Sequence, residues 1–180
     1  FWAATCVLVP ALLMTVVGLI DDLIMMSPNK KLTSQIFAAL IVTYVSIVTN
    51  TVVLLELSKL IGIVITSIWI VGLINSVNFF DNHDGASSSL VAISCFFIFL
   101  LAMHNRQYFV AALSIVVVGT LIGFYFWNRP NARIYLGDSG SLYLGLLLAT
   151  LTIRLKPIEV PLTISIFIAI SLVGIFLLDT

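Results

Sequence analysis

Three short aspartate-bearing segments interrupt an otherwise apolar chain. They are Gly18-Leu19-Ile20-Asp21-Asp22, Asn75-Ser76-Val77-Asn78-Phe79-Phe80-Asp81-Asn82-His83-Asp84-Gly85 and Leu136-Gly137-Asp138-Ser139-Gly140-Ser141. An ionised carboxylate inside hydrocarbon costs roughly 2.5–3.5 kcal/mol even on the mildest scale, so a membrane chain that keeps several has a use for them. Carboxylates in three separate loops point to one shared site for a metal ion and a phosphorylated substrate.

Each segment has its own chemistry. Asp138 lies among Gly137, Ser139 and Gly140, small neighbours that let a diphosphate approach the backbone, at the head of a predicted helix whose free N–H groups suit an anion. Mg2+ takes one or two carboxylates plus phosphate oxygens, which makes Asp138 a natural ligand; a simple helix cap by Asp138 or Ser139 is the alternative. The neighbouring Asp21 and Asp22 repel each other unless a cation or proton is shared, which suits metal binding or general-base work. Asn75, Asn78 and Asn82 are spaced to share one face of a continuous helix; their amides, with Asp81 and Asp84, suit recognition of a nucleotide or sugar. Lys31, Arg129 and Arg133 are placed to hold phosphates, and snorkelling to lipid headgroups explains them comparably well. His83 lacks a second histidine at metal-ligand spacing and reads as structural or substrate-tuning; His104 reads as solvated.

The elements that position these residues follow from composition. With 61% hydrophobic and 9% charged residues and a mean hydropathy of +1.21, the chain is an integral membrane protein rather than a soluble domain. Its formal net charge is +0 and its basic residues are scattered, so nucleic acid is not an expected partner. Cys6 and Cys95 fall in apolar stretches and read as small hydrophobes. Runs long enough to cross a bilayer are expected at roughly 1–20, 32–54, 60–77, 86–103, 108–127, 139–155 and 160–178, giving an all-α, polytopic transmembrane bundle of about seven spans in a single domain over residues 1–180. If each run spans once, the first, third and fifth breaks share a membrane face. That face gathers Asp21, Asp22, Asp81, Asp84, Asp138 and Asp179, whereas Glu56 and Glu159 fall opposite. Lysines and arginines divide evenly between the faces, so they assign no orientation. Glu56 and Lys59 are spaced for a short interfacial helix, and Gly119 with Gly123 form a pair suited to close helix packing.

Together these segments resemble the polyprenyl-phosphate N-acetylhexosamine-1-phosphate transferase family, glycosyltransferase family 4. The resemblance rests on Gly18 to Asp22 with the downstream Pro28, Lys31 and Leu32; on Asn75, Asn78, Asp81, Asp84 and Gly85; and on Asn128 ten residues before Asp138. Asn82 stands where the family pattern has Gly, and Ala86 where it has Leu. Asn tolerates a left-handed backbone, so the turn is expected to survive. The form Gly-Asp-Ser-Gly-Ser is more similar to the N-acetylglucosamine-type enzymes than to the muramoyl-pentapeptide translocases.

The resemblance implies transfer of a hexosamine-1-phosphate from a UDP-N-acetylhexosamine to a polyprenyl phosphate, releasing UMP. It implies Asp21, Asp22 and Asp81 as catalytic carboxylates, Lys31, Asn75, Asn78, Asn82, Asp84, Asn128 and Arg133 as substrate contacts, and Asp138 as ligand of Mg2+, with Mn2+ as a substitute. It further implies a multi-pass protein of the bacterial inner membrane, embedded in the lipid bilayer with the site facing the cytoplasm; a homodimer is one assembly open to it, and the sequence does not select the oligomeric state. Opening on Phe1-Trp2 and stopping at Asp179-Thr180, the chain reads as the catalytic core of a longer protein, inactive alone and continued by a histidine-rich loop. A cation- or proton-coupled transporter with an aspartate relay is the alternative; it fits less well, because transporters set such residues near the midplane and these lie at span ends.

Overall fold

The computed structural model describes residues 2–48, 59–155 and 162–178. Seven helices follow in order: α1 (Trp2–Ile24), α2 (Pro28–Val48), α3 (Lys59–Phe80), α4 (Ala86–His104), α5 (Tyr108–Asn128), α6 (Gly137–Arg154) and α7 (Leu162–Leu178). No strand occurs among the described residues. The interfacial helix expected around Glu56, and the positions of Glu159 and Asp179, lie outside them.

α6 is the axis of the bundle. It packs chiefly on α1 and α3, and from Leu144 to Arg154 every residue is buried. A helix enclosed by other helices needs no lipid-facing surface, so α6 carries glycine, serine and threonine that an outer span would replace with leucine. α1 to α5 are each long and apolar enough to cross a membrane; they turn residues such as Leu12, Phe37, Ile68, Phe97 and Phe126 outward. Close approach at the axis depends on Gly145, where an added Cβ would stand 2.6 Å from the Cα of Ile74 on α3. Lower on the same interface the Trp69 indole N–H donates to the Thr152 hydroxyl at 3.0 Å.

Helix ends depart from the apolar runs in ways that matter for chemistry. α1 continues beyond residue 20 and carries Asp21 and Asp22 in its last turn; it closes where Met25 adopts φ 46° and donates its N–H to the Asp21 carbonyl at 2.9 Å. α2 begins at Pro28 rather than near 32 because proline is pre-set for the first helical position, and the Ser27 carbonyl accepts from Lys30 and Lys31 at 3.0 and 3.2 Å. Lys31 is therefore a first-turn helix residue. α3 ends at Phe80, so Asn75 and Asn78 share its face and Asn82 does not.

Candidate active site

Four helix ends converge on the Lys31 ammonium. It lies 3.0 Å from Asp21 Oδ2 at the end of α1 and 2.6 Å from Asp138 Oδ2 at the start of α6, and it donates to Asn78 Oδ1 of α3 at 3.3 Å. The Asn78 amide closes the ring, donating to Asp138 Oδ1 and to Ser141 Oγ at 2.8 Å. Asp21 is pinned from behind by the Met26 N–H. The three charged side chains are 11–27% exposed, so the ring is sheltered from bulk water yet open on one side. Two carboxylates against one ammonium leave an excess of negative charge that a further cation would neutralise.

Asp22 does different work from its neighbour. Its Oδ1 and Oδ2 accept the backbone N–H groups of Asp138 and Ser139 at 2.9 and 3.1 Å, so it caps α6 from another helix and complements the positive end of its dipole. Removing the cap leaves those donors without their carboxylate. Asp22→Ala is expected to cost about 1–2 kcal/mol of stability, read as a lowered unfolding temperature of the detergent-purified protein; an unchanged temperature would contradict the capping role. The contact is close because position 18 is glycine: a Cβ there would stand 2.3 Å from the Asp138 carbonyl oxygen and 2.5 Å from Ser139 Cα. The Gly-x-x-Asp-Asp spacing thus encodes both a helix crossing and the carboxylates beside it.

Asp81 follows α3 and is half-buried. Burial chiefly, with the nearby charges of Asp138 and Asp22, pushes its carboxyl up to about 7 despite a hydrogen bond from the Gly137 N–H. Asp84 Oδ2 accepts the Ala132 N–H at 3.1 Å, which ties the third break to the fifth. Asn128 is buried beneath them, accepting from the Ser88 hydroxyl at 2.9 Å and donating to the Ile134 carbonyl at 3.1 Å. The first, third and fifth breaks therefore meet, as the alternation of spans predicts.

Other expected site residues lie apart from the ring. Asn75 exchanges amide hydrogen bonds of 2.7 and 3.1 Å with Gln35, one step deeper between α2 and α3. Asn82 is exposed, returns its amide to the Phe79 carbonyl at 2.8 Å, and is not among the residues with positive φ; the left-handed turn expected of it falls instead at Gly85, φ 73°. Arg133 lies over the Trp127 ring at 5.9 Å. His83 and His104 are both exposed. Two polar partners went unread in the sequence. Gln35 is wholly buried and falls four residues after Lys31, and Ser141 falls three after Asp138, so helical spacing from a known site residue would have found both.

Residues 4–156 match the profile of the family described as Glycosyl transferase family 4. The chain is 31% identical over 166 residues to a phospho-N-acetylmuramoyl-pentapeptide-transferase of Streptococcus uberis, covering 84% of this chain and 50% of that protein. It is 30% identical over 181 residues to a probable undecaprenyl-phosphate N-acetylglucosaminyl 1-phosphate transferase of Bacillus subtilis, covering 98% and 50%. An Enterococcus hirae phospho-N-acetylmuramoyl-pentapeptide-transferase is 43% identical over 88 residues, covering 49% of this chain and 27% of that protein. The chain spans about half the length of the first two relatives, and their near-equal identities do not separate the two sugars.

Proposed function

The chain belongs to glycosyl transferase family 4, and on that footing we propose that it carries the catalytic core of an enzyme transferring a hexosamine-1-phosphate from a UDP-sugar to a polyprenyl phosphate. The observation that supports this most is the Lys31 ring at the ends of four helices, because one substrate is soluble, the other is anchored in lipid, and their phosphates can meet only at the membrane surface. An oxygen of the lipid phosphate attacks the β-phosphorus of the UDP-sugar; the bond from that phosphorus to the bridging oxygen breaks, and its electron pair leaves with UMP. Positioning and charge neutralisation dominate such transfers.

The donor set suits Mg2+, or Mn2+ in its place. Asp21 and Asp138 already share one cation, the Lys31 ammonium, and no cluster of three or more candidate ligands occurs among the described residues. One or two carboxylates with substrate phosphates completing the shell is the Mg2+ pattern, and Asp138 with Asp21 would hold the ion. When bound, the metal supplies charge stabilisation on the diphosphate. Lys31 would neutralise phosphate charge beside those carboxylates, Asn78 fixes the Asp138 carboxylate, and Asp22 holds the α6 N-terminus against α1. Asp81, whose carboxyl burial pushes up to about 7, is suited to take or orient a proton of the lipid phosphate.

Titration of Asp81 gives a sign that can be checked. Its carboxyl is raised from 3.8 to about 7 on folding, so the folded chain holds more proton across that window and stability falls as the pH rises through it. In divalent-free buffer, Asp81→Asn should match the wild type at pH 4 and exceed it in stability at pH 8; an equal loss at both would contradict the burial argument.

Because UDP-sugars are cytosolic, the aspartate face would lie on the cytoplasmic side of a bacterial inner membrane. Cysteines placed beside Asp84 should resist external labelling in intact cells, whereas one beside Arg106 should react; the reverse pattern would overturn the orientation. The activity itself is tested by incubating the whole purified protein with undecaprenyl phosphate, Mg2+ and either UDP-N-acetylglucosamine or UDP-N-acetylmuramoyl-pentapeptide. UMP released in step with a lipid-linked diphosphate sugar is expected with one of the two donors. No UMP with either would refute the proposal.

A further inference from the structure

On the outer side of α5, the turn into α6 forms a second cationic site, none of whose lining residues hydrogen-bonds to the Lys31 ring. A cavity of about 560 Å3 is lined by Gly123, Phe126, Trp127, Arg129, Pro130, Asn131 and Arg133. The turn is held in shape rather than loose. Arg129 N–H donates to the Tyr125 carbonyl at 2.9 Å, Arg133 N–H to the Trp127 carbonyl at 2.8 Å, and the buried Asn128 and the Asp84–Ala132 hydrogen bond anchor it from beneath. Both guanidiniums are exposed, and among the described residues neither meets a carboxylate. Arg133 rests on the Trp127 ring, which leaves its N–H edges to an anion.

The level of the cavity selects its occupant. α5 is a candidate membrane span that ends at Asn128, so Arg129 and Arg133 stand where hydrocarbon gives way to headgroups. Phe126, Trp127 and Tyr135 are 64%, 53% and 70% exposed and ring this level, the place aromatic side chains prefer at a bilayer surface. Below it, nothing among the described residues lies within 4 Å of a Cβ at Gly123 or Gly119, so the close packing expected of that pair is absent and a shallow notch runs down the helix. We propose that this site binds an acidic phospholipid, its phosphodiester between Arg129 and Arg133 and an acyl chain along Gly123 and Gly119. The inference does not depend on the transferase reading.

Native mass spectrometry of the whole detergent-purified protein tests it, with dioleoyl-phosphatidylglycerol and dioleoyl-phosphatidylcholine as probes. The wild type should retain the acidic lipid preferentially. Each interfacial arginine contributes about fivefold to binding an acidic lipid, so Arg129→Gln with Arg133→Gln should weaken phosphatidylglycerol by about 25-fold and leave phosphatidylcholine unchanged. Arg106→Gln, on the opposite face, should change neither. If the double variant does not fold, each single variant should show its own fivefold loss. Equal retention of both lipids, unchanged phosphatidylglycerol affinity in the folded double variant, or full displacement by inorganic phosphate would overturn the proposal. So would crosslinking of Gly123→Cys to another helix or a second copy, since the notch would then be covered by protein.

Discussion

Asp138→Asn is expected to lower turnover by about 100- to 1,000-fold, the usual cost of removing one preorganised charge-stabilising group, while leaving the protein folded. The substitution preserves size, and its carbonyl oxygen can still accept the Asn78 amide. What it loses is the negative charge 2.6 Å from Lys31, and with it the principal proposed contact to Mg2+. Turnover at limiting Mg2+ is the sensitive readout, compared with the unfolding temperature. Wild-type turnover in the variant would show that the Asp138 charge serves only its ion pair with Lys31 and that Asp138 is not the principal contact to Mg2+.

Gly18→Ala is expected to have an effect of similar size through geometry alone. The added methyl would meet the Asp138 carbonyl oxygen at 2.3 Å and carbonyl carbon at 2.4 Å, contacts with backbone that no rotamer relieves. α6 must then move away from α1, carrying Asp138 off Lys31 and Asn78. A displacement of about 1 Å at a reacting site can cost about 100-fold in rate, and overpacking of this kind costs about 1–3 kcal/mol of stability. Gly72 provides the control: nothing lies within 4 Å of its Cβ position, so Gly72→Ala should be neutral or stabilising by about 0.5–1 kcal/mol. Near-normal turnover in Gly18→Ala would mean that the two helix ends are not held as closely as the ring requires.

Much of this site was legible in the sequence, for physical reasons. Acids that interrupt apolar runs stand out because hydrocarbon excludes them, and alternation of the spans placed their loops on one face, where the structure joins them through Lys31, Asn78 and the Asp84–Ala132 contact. The division of labour between Asp21 and Asp22 was not legible, since it depends on which carboxylate faces Lys31 on α2 and which faces the backbone of α6. Helix ends were misplaced where proline and aspartate, read as breakers, serve as a helix start at Pro28 and a last turn at Asp21 and Asp22. Gln35 escaped notice because a lone amide in an apolar run shows its purpose only once Asn75 is opposite it. Gly18 read as part of a motif, yet its role is a helix contact with a segment more than a hundred residues away. α6 read as one more span, and only packing reveals it as the axis.

The central claim is that Lys31, Asp138 and Asn78 act as one catalytic unit, and a double-mutant cycle on turnover tests it most directly. Lys31→Gln and Asp138→Asn, each made in the whole protein, should each reduce UMP release by about 100-fold or more. Groups that act as a unit are strongly non-additive, so the double variant should be no slower than the worse single variant within about threefold. Losses that multiply, giving a double variant about 10,000-fold slower, would show that the two residues act independently and that the ring is not the reacting centre.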